Sequence, residues 1–348
     1  MSPAEYLVER LRTCGISQEV IPQFVSDDAR AAYIEQLIFR KPYRKWKAGD
    51  VLKERVPQAI AHTVSHHQPL TFRYWFGGYK LWRFKSAPRI DWAEFFSLAY
   101  YLEYLAPIAA AHPYGVVLQF CSDEYFVEQL NNIPQSDTQA YTQSFKELIA
   151  LFRTYLPPSV SIEYSLNRNA LGSEELFTSR FQEVVSQLRP RWESRRTPDE
   201  LERDLASSWL NIRFDGGGSV DLSHLTYVQQ REKALESLLL HDALGVFENP
   251  LIVDAHKDNS ISIFATAFPD SLGLGTTKNS MVKFWVGTGV LERVNDTFKE
   301  RILSFRQYDE AKALARTHHD RGGAIPLFES VEVFDTPFDF QNKKVPVL

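Results

Sequence analysis

The middle of the chain alternates between short apolar runs and longer helical patterns, and this alternation restricts the fold more than any other feature. Apolar runs rich in aromatic and β-branched residues predict strands at Pro69–Phe76, Val116–Cys121 and Val160–Leu166. Between them, apolar residues spaced three and four apart predict helices at Asp91–Ala111 and Asp137–Leu156. A helix between successive strands is the βαβ arrangement, which pairs the strands in parallel. The sequence therefore predicts an α/β fold.

The flanking segments extend this prediction to the whole chain of 348 residues. Residues 1–64 show only helical patterns and are expected to form an N-terminal helical region, while residues 65–348 are expected to form one α/β catalytic domain. Further helices are expected at 173–210 and 222–244, and further strands at 260–268, 281–290 and 324–333. The expected architecture is one parallel or mixed sheet with flanking helices and an N-terminal helical appendage.

Composition and charge argue against a nucleic-acid-binding or secreted protein. The net charge is −5, whereas general nucleic-acid binders carry a basic field. Cys14 and Cys121 have no metal-ligand spacing and are expected to be the reduced thiols of a cytoplasmic protein. Residues 1–12 contain no apolar run typical of a signal peptide, and no stretch of the chain approaches the ~20 apolar residues that span a bilayer. We therefore expect a cytoplasmic location with neither nucleic-acid nor membrane partners, and the oligomeric state stays open.

Polar clusters follow each of the three predicted strands in the middle of the chain. Residues 77–80 read Gly-Gly-Tyr-Lys after the first strand, residues 122–124 read Ser-Asp-Glu after the second, and residues 167–169 read Asn-Arg-Asn after the third. Parallel strands end at the same edge of a sheet, and open α/β sheets bind their ligands beyond that edge. The sequence therefore predicts a small-molecule site built from these clusters.

Lys80 and Asp123 are the candidate catalytic residues of this site. Lys80 follows two glycines, which allow the backbone to approach a phosphate that the ammonium can bind. The alternative is a surface lysine after a turn. Asp123 is placed to act as an acid, a base or a hydroxyl anchor, or else to cap the next helix. The sequence does not decide between the catalytic role and the alternative for either residue.

Other polar motifs give weaker signals. Gly216–Ser219 lacks the residues of a phosphate-binding loop, and we expect a mobile loop there. His318-His319-Asp320, expected on a loop, and His66-His67 lack a third ligand at suitable spacing, so no metal site is predicted. Arg231 and Lys233 offer anion contacts from the predicted helix at 222–244, with a solvated helix face as the alternative.

The stretch from residue 68 to residue 152 resembles the isonitrile (isocyanide) synthase family, also called the pyoverdine and dityrosine biosynthesis proteins. Members of that family have a strand that leads to a turn ending in lysine, the place that Lys80 takes in LTFRYWFGGYK. A later strand of the family ends in Ser-Asp-Gly. Here HPYGVVLQFCSDEYF has Ser122 and Asp123 in those places, with Glu124 instead of the glycine. The spaced Asp and Tyr that follow in the family resemble Asp137 and Tyr141.

A shorter likeness covers the second half, to about residue 295. The segment DLSHLTYVQQREKAL resembles the helix on which the family carries an arginine and a lysine, here Arg231 and Lys233. The segment MVKFWVGTGVL resembles a strand in which the family carries Trp-His-Gly, here with Trp285 but without the histidine. A second histidine of the family is replaced at Phe268, and Lys278 matches a lysine that follows.

The resemblance implies a Rossmann-like enzyme that uses no metal or other cofactor. In the family, the amine of an amino acid condenses with the ketone of ribulose 5-phosphate, and a sugar carbon becomes the isonitrile carbon. Of the two catalytic candidates, Asp123 would move protons and Lys80 would supply positive charge for the phosphate, as Arg231, Lys233 and Lys278 would. The remaining substrate contacts implied by the resemblance are Ser122, Arg231, Lys233, Lys278 and Trp285.

The two absent histidines motivate two alternatives. One is a different enzyme on the same scaffold, acting on another phosphorylated or amine substrate, since a fold does not fix a function. The other is a non-catalytic protein that binds a small molecule or a partner.

Overall fold

The structure is a computed structural model. It describes residues 1–40, 50–76, 89–122, 124, 127–128, 133–166, 168, 173–192, 194, 196–215, 222–240, 243, 261–262, 287–303, 305–314, 317–320, 325, 327–328 and 330–335. The helices described are α1 Pro3–Thr13, α2 Asp27–Ile38, α3 Asp50–Ser65, α4 Trp92–Ala111, α5 Gln135–Arg153, α6 Glu174–Trp192, α7 Pro198–Asp215, α8 at 227–240 and α9 Phe305–Leu314. The strands described are β1 Leu70–Phe76, β2 Val116–Ser122, β3 Val160–Leu166, β4 Ile261–Ser262, β5 Thr288–Val294, β6 Thr297–Leu303, β7 Thr317–Asp320 and β8 Val331–Phe334.

The first sheet is parallel throughout the described strands, in the order β3-β2-β1-β4. Helix α4 connects β1 to β2 and α5 connects β2 to β3, so the predicted βαβ units are confirmed. The register places Phe76 beside Ser122 and Ser122 beside Leu166. Strands β1, β2 and β3 therefore end level with one another at one edge of the sheet.

Helix α4 is buried along almost its whole length. Asp91 caps its first turn by accepting from the Ala93 amide at 2.7 Å, and the Glu94 carboxylate reaches back to the Asp91 amide at 2.8 Å. The helix contacts β2 and β3 of the first sheet and β5 and β6 further along the chain. Because the helix contacts strands of both sheets, its sequence is apolar on all faces rather than along one stripe.

The N-terminal helices share one core with the sheet. Leu7 and Leu11 of α1, Ile34 of α2 and Ile60 of α3 are buried in the same apolar cluster as Phe72 of β1. Helix α1 is also fixed by polar contacts, because the Arg10 guanidinium pairs with Glu103 of α4 at 2.7 Å and with Glu300 of β6 at 2.9 Å. The described residues of this region form three helices whose apolar side chains extend the core of the sheet.

Strands β5 to β8 form a second, mixed sheet in the order β6-β5-β8-β7, whereas β4 pairs with β1 in the first sheet. The α/β fold class is confirmed, but these strands do not all extend the first sheet as expected. Strands β5 and β6 form an antiparallel hairpin that the sequence analysis missed. Its turn contains Asn295 with a φ of 54°, a conformation that asparagine adopts more readily than most residues.

Other local predictions differ from the structure as well. The helical pattern at 173–210 is divided into α6 and α7, because Pro198 begins a new helix. The His318-His319-Asp320 segment lies in strand β7, paired antiparallel with β8, rather than on a loop. The predicted strand at 324–333 is limited to Val331–Phe334.

His112 at the end of α4 makes the stability of the fold sensitive to acid. The ring is 2% exposed, Nε2 lies 3.1 Å from the Gln68 carbonyl oxygen, and Nδ1 is buried without a hydrogen-bond partner. Burial therefore lowers the pKa of His112 to about 4. Because the unfolded histidine titrates near ~6.5, the unfolded chain binds the proton more readily. Stability should be intact above that value and fall as the pH drops towards 4.

This prediction is checked by urea unfolding of the protein and of His112→Gln between about pH 7 and about pH 4. The glutamine amide can still donate to Gln68 but cannot be protonated, so the variant should lose less stability over this range. The exposed His224→Gln is the matched control and should follow the parent protein. If the free energy of unfolding fell equally with pH for all three proteins, protonation of His112 would not be the cause of the acid sensitivity.

Candidate active site at the carboxyl ends of the strands

The residues that follow β2 and β3 meet at the edge where these strands end. Glu124 comes two residues after Ser122, the last residue of β2, and Arg168 comes two residues after Leu166, the last residue of β3. The Arg168 Nε donates to Glu124 Oε1 at 2.9 Å. Two of the three polar clusters predicted from the sequence are therefore in direct contact. The third cluster, at residues 77–80, lies outside the described residues.

Arg168 is surrounded by carboxylates. Besides Glu124, its guanidinium donates to Glu128 Oε2 at 3.0 Å and to Glu174 Oε1 at 3.1 Å. The Thr138 hydroxyl, from the first turn of α5, donates to the other Glu128 oxygen at 2.6 Å. Arg168 is 8% exposed, so these contacts form in a region largely shielded from water. We call Ser122, Glu124, Glu128, Arg168 and Glu174 the strand-end cluster.

Two buried oxygens of the strand-end cluster have no hydrogen-bond partner, namely Ser122 Oγ and Glu124 Oε2. Burial raises the pKa of Glu124, and Arg168 opposes that shift. Ser122 Oγ is close enough to Glu124 to favour the ionised carboxylate, although no hydrogen bond of normal geometry joins them. An unpaired buried polar group costs about 1–3 kcal/mol, and such a cost is commonly retained at a functional site.

Tyr164 of β3 lies beside this cluster. Its hydroxyl is 3.0 Å from Thr142 Oγ1, and the Lys146 ammonium lies 5.2 Å from its ring centroid. Burial raises the pKa of Tyr164 to about 12, with a smaller opposing effect from Ser122. The phenol therefore stays protonated at neutral pH and is a hydrogen-bond donor at this edge of the sheet.

A second buried polar network, built on Asp91 and Glu94, joins the start of helix α4 to strand β5 and to helix α5. Thr288 of β5 donates from its hydroxyl to Asp91 Oδ2 at 2.7 Å. The Tyr141 hydroxyl of α5 donates to Glu94 Oε1 at 2.8 Å, and burial raises the pKa of Tyr141 well above its usual range. Tyr141, which the family resemblance singled out, therefore contacts the first turn of α4 and positions two helices at the sheet edge.

The predicted site residues fall into three groups. Ser122 lies in the strand-end cluster, whereas Lys80, Asp123, Lys278 and Trp285 lie outside the described residues. Arg231 and Lys233 lie on α8. The Arg231 guanidinium pairs with Glu202 of α7, and burial lowers the pKa of Lys233. The roles assigned to all these residues remain predictions.

The sequence predicts the strand-end positions of the cluster but not all of its residues. Arg168 stands out there only as the middle residue of the Asn-Arg-Asn that follows β3. Glu128 and Glu174 carried no signal, because the contact that gathers them is set by tertiary structure across 40 and 6 residues of chain.

The described part of the chain lacks two kinds of feature, a metal-binding group and a membrane-spanning helix. No group of three or more His, Cys, Asp or Glu side chains among these residues is arranged to hold a metal ion. No helix among them combines the length and the apolar character that crossing a bilayer requires.

Comparison with solved structures finds chains of similar fold. The chain is similar to the crystal structure of the PvcA protein from Pseudomonas aeruginosa, with a TM-score of 0.58 and 15% sequence identity. The match covers 89% of this chain and 100% of that one. At this identity the match shows a shared fold. No protein-family model matches the sequence, and no curated protein matches it.

Proposed function

We propose that the protein is a biosynthetic enzyme distantly related to the isonitrile synthases, which condenses the amine of an amino acid with a phosphosugar of the ribulose 5-phosphate class. The observation that carries the proposal is the strand-end cluster, a shielded polar site at the edge where open α/β sheets bind ligands. The shared fold with PvcA and the motif resemblance over residues 68–152 support the choice of family.

The proposed chemistry divides the work between cations and a proton-transfer group. Attack of the amine on the sugar ketone forms an imine with loss of water, and protons must be taken from the nitrogen and delivered to the departing oxygen. We assign the proton transfer to Asp123. We assign the sugar phosphate to Lys80 and Lys278, because ammonium groups bind phosphate as point charges.

The remaining contacts are assigned to Ser122, Trp285, Arg231 and Lys233. In the proposal, the indole of Trp285 packs on the substrate and α8 supplies anion contacts. Arg231 would exchange its carboxylate partner, Glu202, for the phosphate. The lowered pKa of Lys233 reflects the cost of burying its charge, a cost that a bound anion would offset.

The direct test is incubation of the purified protein with ribulose 5-phosphate and each amino acid in turn. Mass spectrometry should detect a product that retains one sugar carbon, and infrared spectroscopy should show the isonitrile stretch. The absence of both signals for every amino acid would overturn the proposal.

The catalytic assignments predict the behaviour of two variants. Asp123→Asn should lower kcat by about 10²-fold or more, the usual contribution of a positioned proton-transfer group. Lys80→Ala removes a proposed phosphate contact and should lower kcat/KM for ribulose 5-phosphate by about 10-fold or more, the loss expected for one hydrogen bond to a charged group. Both should keep the parent's circular-dichroism spectrum and melting temperature. Lys299→Ala, which removes a lysine of the β6 strand, is the control and should keep full activity. If either variant retained the parent's kcat/KM, its assignment would be wrong.

A second candidate is a different reaction of an amine or phosphorylated substrate at the same site. The observations that favour it are the two histidines of the family that are absent here and the replacement of the family glycine by Glu124. It predicts thermal stabilisation by ribulose 5-phosphate or an amino acid without the isonitrile product. A protein that binds without catalysis would show the same stabilisation with no consumption of either compound.

A further inference from the structure

The strand-end cluster contains two buried oxygens without a hydrogen-bond partner of normal geometry. Arg168 binds one oxygen of the Glu124 carboxylate and leaves Oε2 without a partner. Ser122 Oγ, in a residue with 0% exposure, also lacks one. Ser122 is the last residue of β2 and Glu124 follows two positions later, so both residues lie at the edge where the strand ends. Together they form a small acceptor site.

The charge around these acceptors is negative. Glu124, Glu128 and Glu174 surround the single guanidinium of Arg168, which leaves a formal excess of two negative charges. Glu124 and Arg168 are both less than one-tenth exposed, so solvent screens this excess weakly. The nearby Lys146 ammonium is stacked on the Tyr164 ring instead. The described residues around these acceptors therefore favour a cation that donates hydrogen bonds as their ligand.

The number and type of these oxygens favour an ammonium group over a metal ion as the ligand. Two vacant oxygens are fewer than the ligands that a structural metal site requires, and the described residues contain no metal-binding group. A primary ammonium has three donors, so it can satisfy Glu124 Oε2 and Ser122 Oγ together and offset the negative charge.

We propose that Glu124 Oε2 and Ser122 Oγ bind the ammonium group of the amino acid substrate, which makes Glu124 the residue that selects a free α-amine. This inference rests on the proposed function and deepens it. Glu124 stands where the resembled family has a glycine, so the selection is particular to this chain. The site holds the charged form of the amine, and its deprotonation before attack remains with Asp123.

The test compares Glu124→Gln with the parent protein. Glutamine keeps the shape of the side chain and an oxygen for Arg168 but removes the negative charge. The KM for the amino acid should rise by about 30-fold or more, as expected for the loss of one partner of a shielded charge pair. The KM for ribulose 5-phosphate should stay within about 2-fold. The exposed Glu175→Gln is the matched control and should change neither value.

A ligand that lacks the ammonium group gives an independent test of whether Glu124 recognises that charge. The N-acetyl derivative of the preferred amino acid keeps the side chain and carboxylate but lacks the ammonium. It should stabilise the parent and Glu124→Gln equally in thermal unfolding, whereas the free amino acid should stabilise the parent more. If Glu124→Gln does not fold, Ser122→Ala decides: a raised amino acid KM supports the inference, and an unchanged one overturns it.

The possible failures are distinguishable. An active parent whose Glu124→Gln variant keeps the parent's amino acid KM overturns the ammonium site and leaves the proposed function standing. A rise in both KM values also overturns it, because the effect is then not confined to the amine. A parent that neither binds nor converts any amino acid in the presence of ribulose 5-phosphate overturns the proposed function and this inference together.

Discussion

Replacing Arg168 by methionine should lower the free energy of unfolding by about 3–5 kcal/mol at neutral pH, the usual loss when one partner of a buried ion pair is removed. The side chain of Arg168 is 9% exposed, and those of Glu124 and Glu128 are 5% and 13% exposed. Methionine fills much of the same space but leaves both carboxylates without a cation. Urea unfolding of the parent and the variant measures the loss.

The loss should shrink at acidic pH, which separates charge from packing. Burial already raises the pKa of Glu124 against the opposing effect of Arg168, so without Arg168 its folded pKa rises further above the unfolded value. A raised carboxyl pKa makes the folded state gain relative stability as the pH falls and the group becomes neutral. The difference between parent and variant should therefore be smaller at about pH 5 than at about pH 7.

Two further variants serve as controls. Arg180→Met removes a pair with Glu183 in which both side chains are about half exposed, and it should cost less than about 1 kcal/mol. Arg168→Lys should give an intermediate loss, because an ammonium lacks the planar fork that reaches three carboxylates at once. If Arg168→Met cost no more than Arg180→Met, the cluster would not depend on its arginine.

The parallel sheet and the edge at which its strands end were predictable because they depend on local patterns. Short apolar runs such as Leu70–Phe76 and Val160–Leu166, separated by a helical pattern, leave few other topologies. Once the strands are parallel, their ends must lie together, so the meeting of Glu124 and Arg168 followed from counting residues beyond each strand.

The second sheet was harder to predict because its strands are short or rich in charge. Thr297–Leu303 reads TFKERIL, in which Lys299 and Arg301 obscure the alternation. Arg301 is buried against Glu292 on the neighbouring strand. A charge that is paired within a sheet cannot be distinguished in the sequence from a charge in water, since the partner lies on another strand.

The long-range polar contacts carried no sequence signal for the same reason. Thr288 donates to Asp91 across 197 residues of chain, and Asp91 alone is fully explained as a helix cap. Glu128 and Glu174 read as ordinary surface residues of helical segments. What the sequence specifies locally is the scaffold, and the side-chain pairs that complete the site depend on how its elements pack.

The contact between strand β5 and helix α4 should be intolerant of a single added methyl group at Gly289. A Cβ built on Gly289 of β5 would lie 2.2 Å from the backbone nitrogen of Ala93 and 2.2 Å from the backbone carbon of Trp92. Neither backbone atom can move independently of α4, whose first turn is fixed by Asp91 and Glu94. Gly289→Ala must therefore separate the strand from the helix, and we expect a loss of about 3 kcal/mol or more.

The same substitution should weaken the Asp91 network. The Gly289 amide donates to Asp91 Oδ1 at 3.3 Å, and the Thr288 hydroxyl donates to Oδ2. If β5 moves away, a carboxylate that is 5% exposed loses donors, which adds the cost of an unpaired buried group. Urea unfolding of Gly289→Ala should show this larger loss as a lower midpoint with a similar slope.

Gly15→Ala is the matched control, because it also creates a close contact but with a different kind of neighbour. The added Cβ would lie 2.5 Å from Leu156 Cδ2, the end of a flexible side chain that can rotate away. Its cost should be about 1 kcal/mol or less, well below that of Gly289→Ala. Equal losses for the two variants would mean that β5 yields as easily as a leucine side chain, and that the Asp91 network does not hold the second sheet against α4.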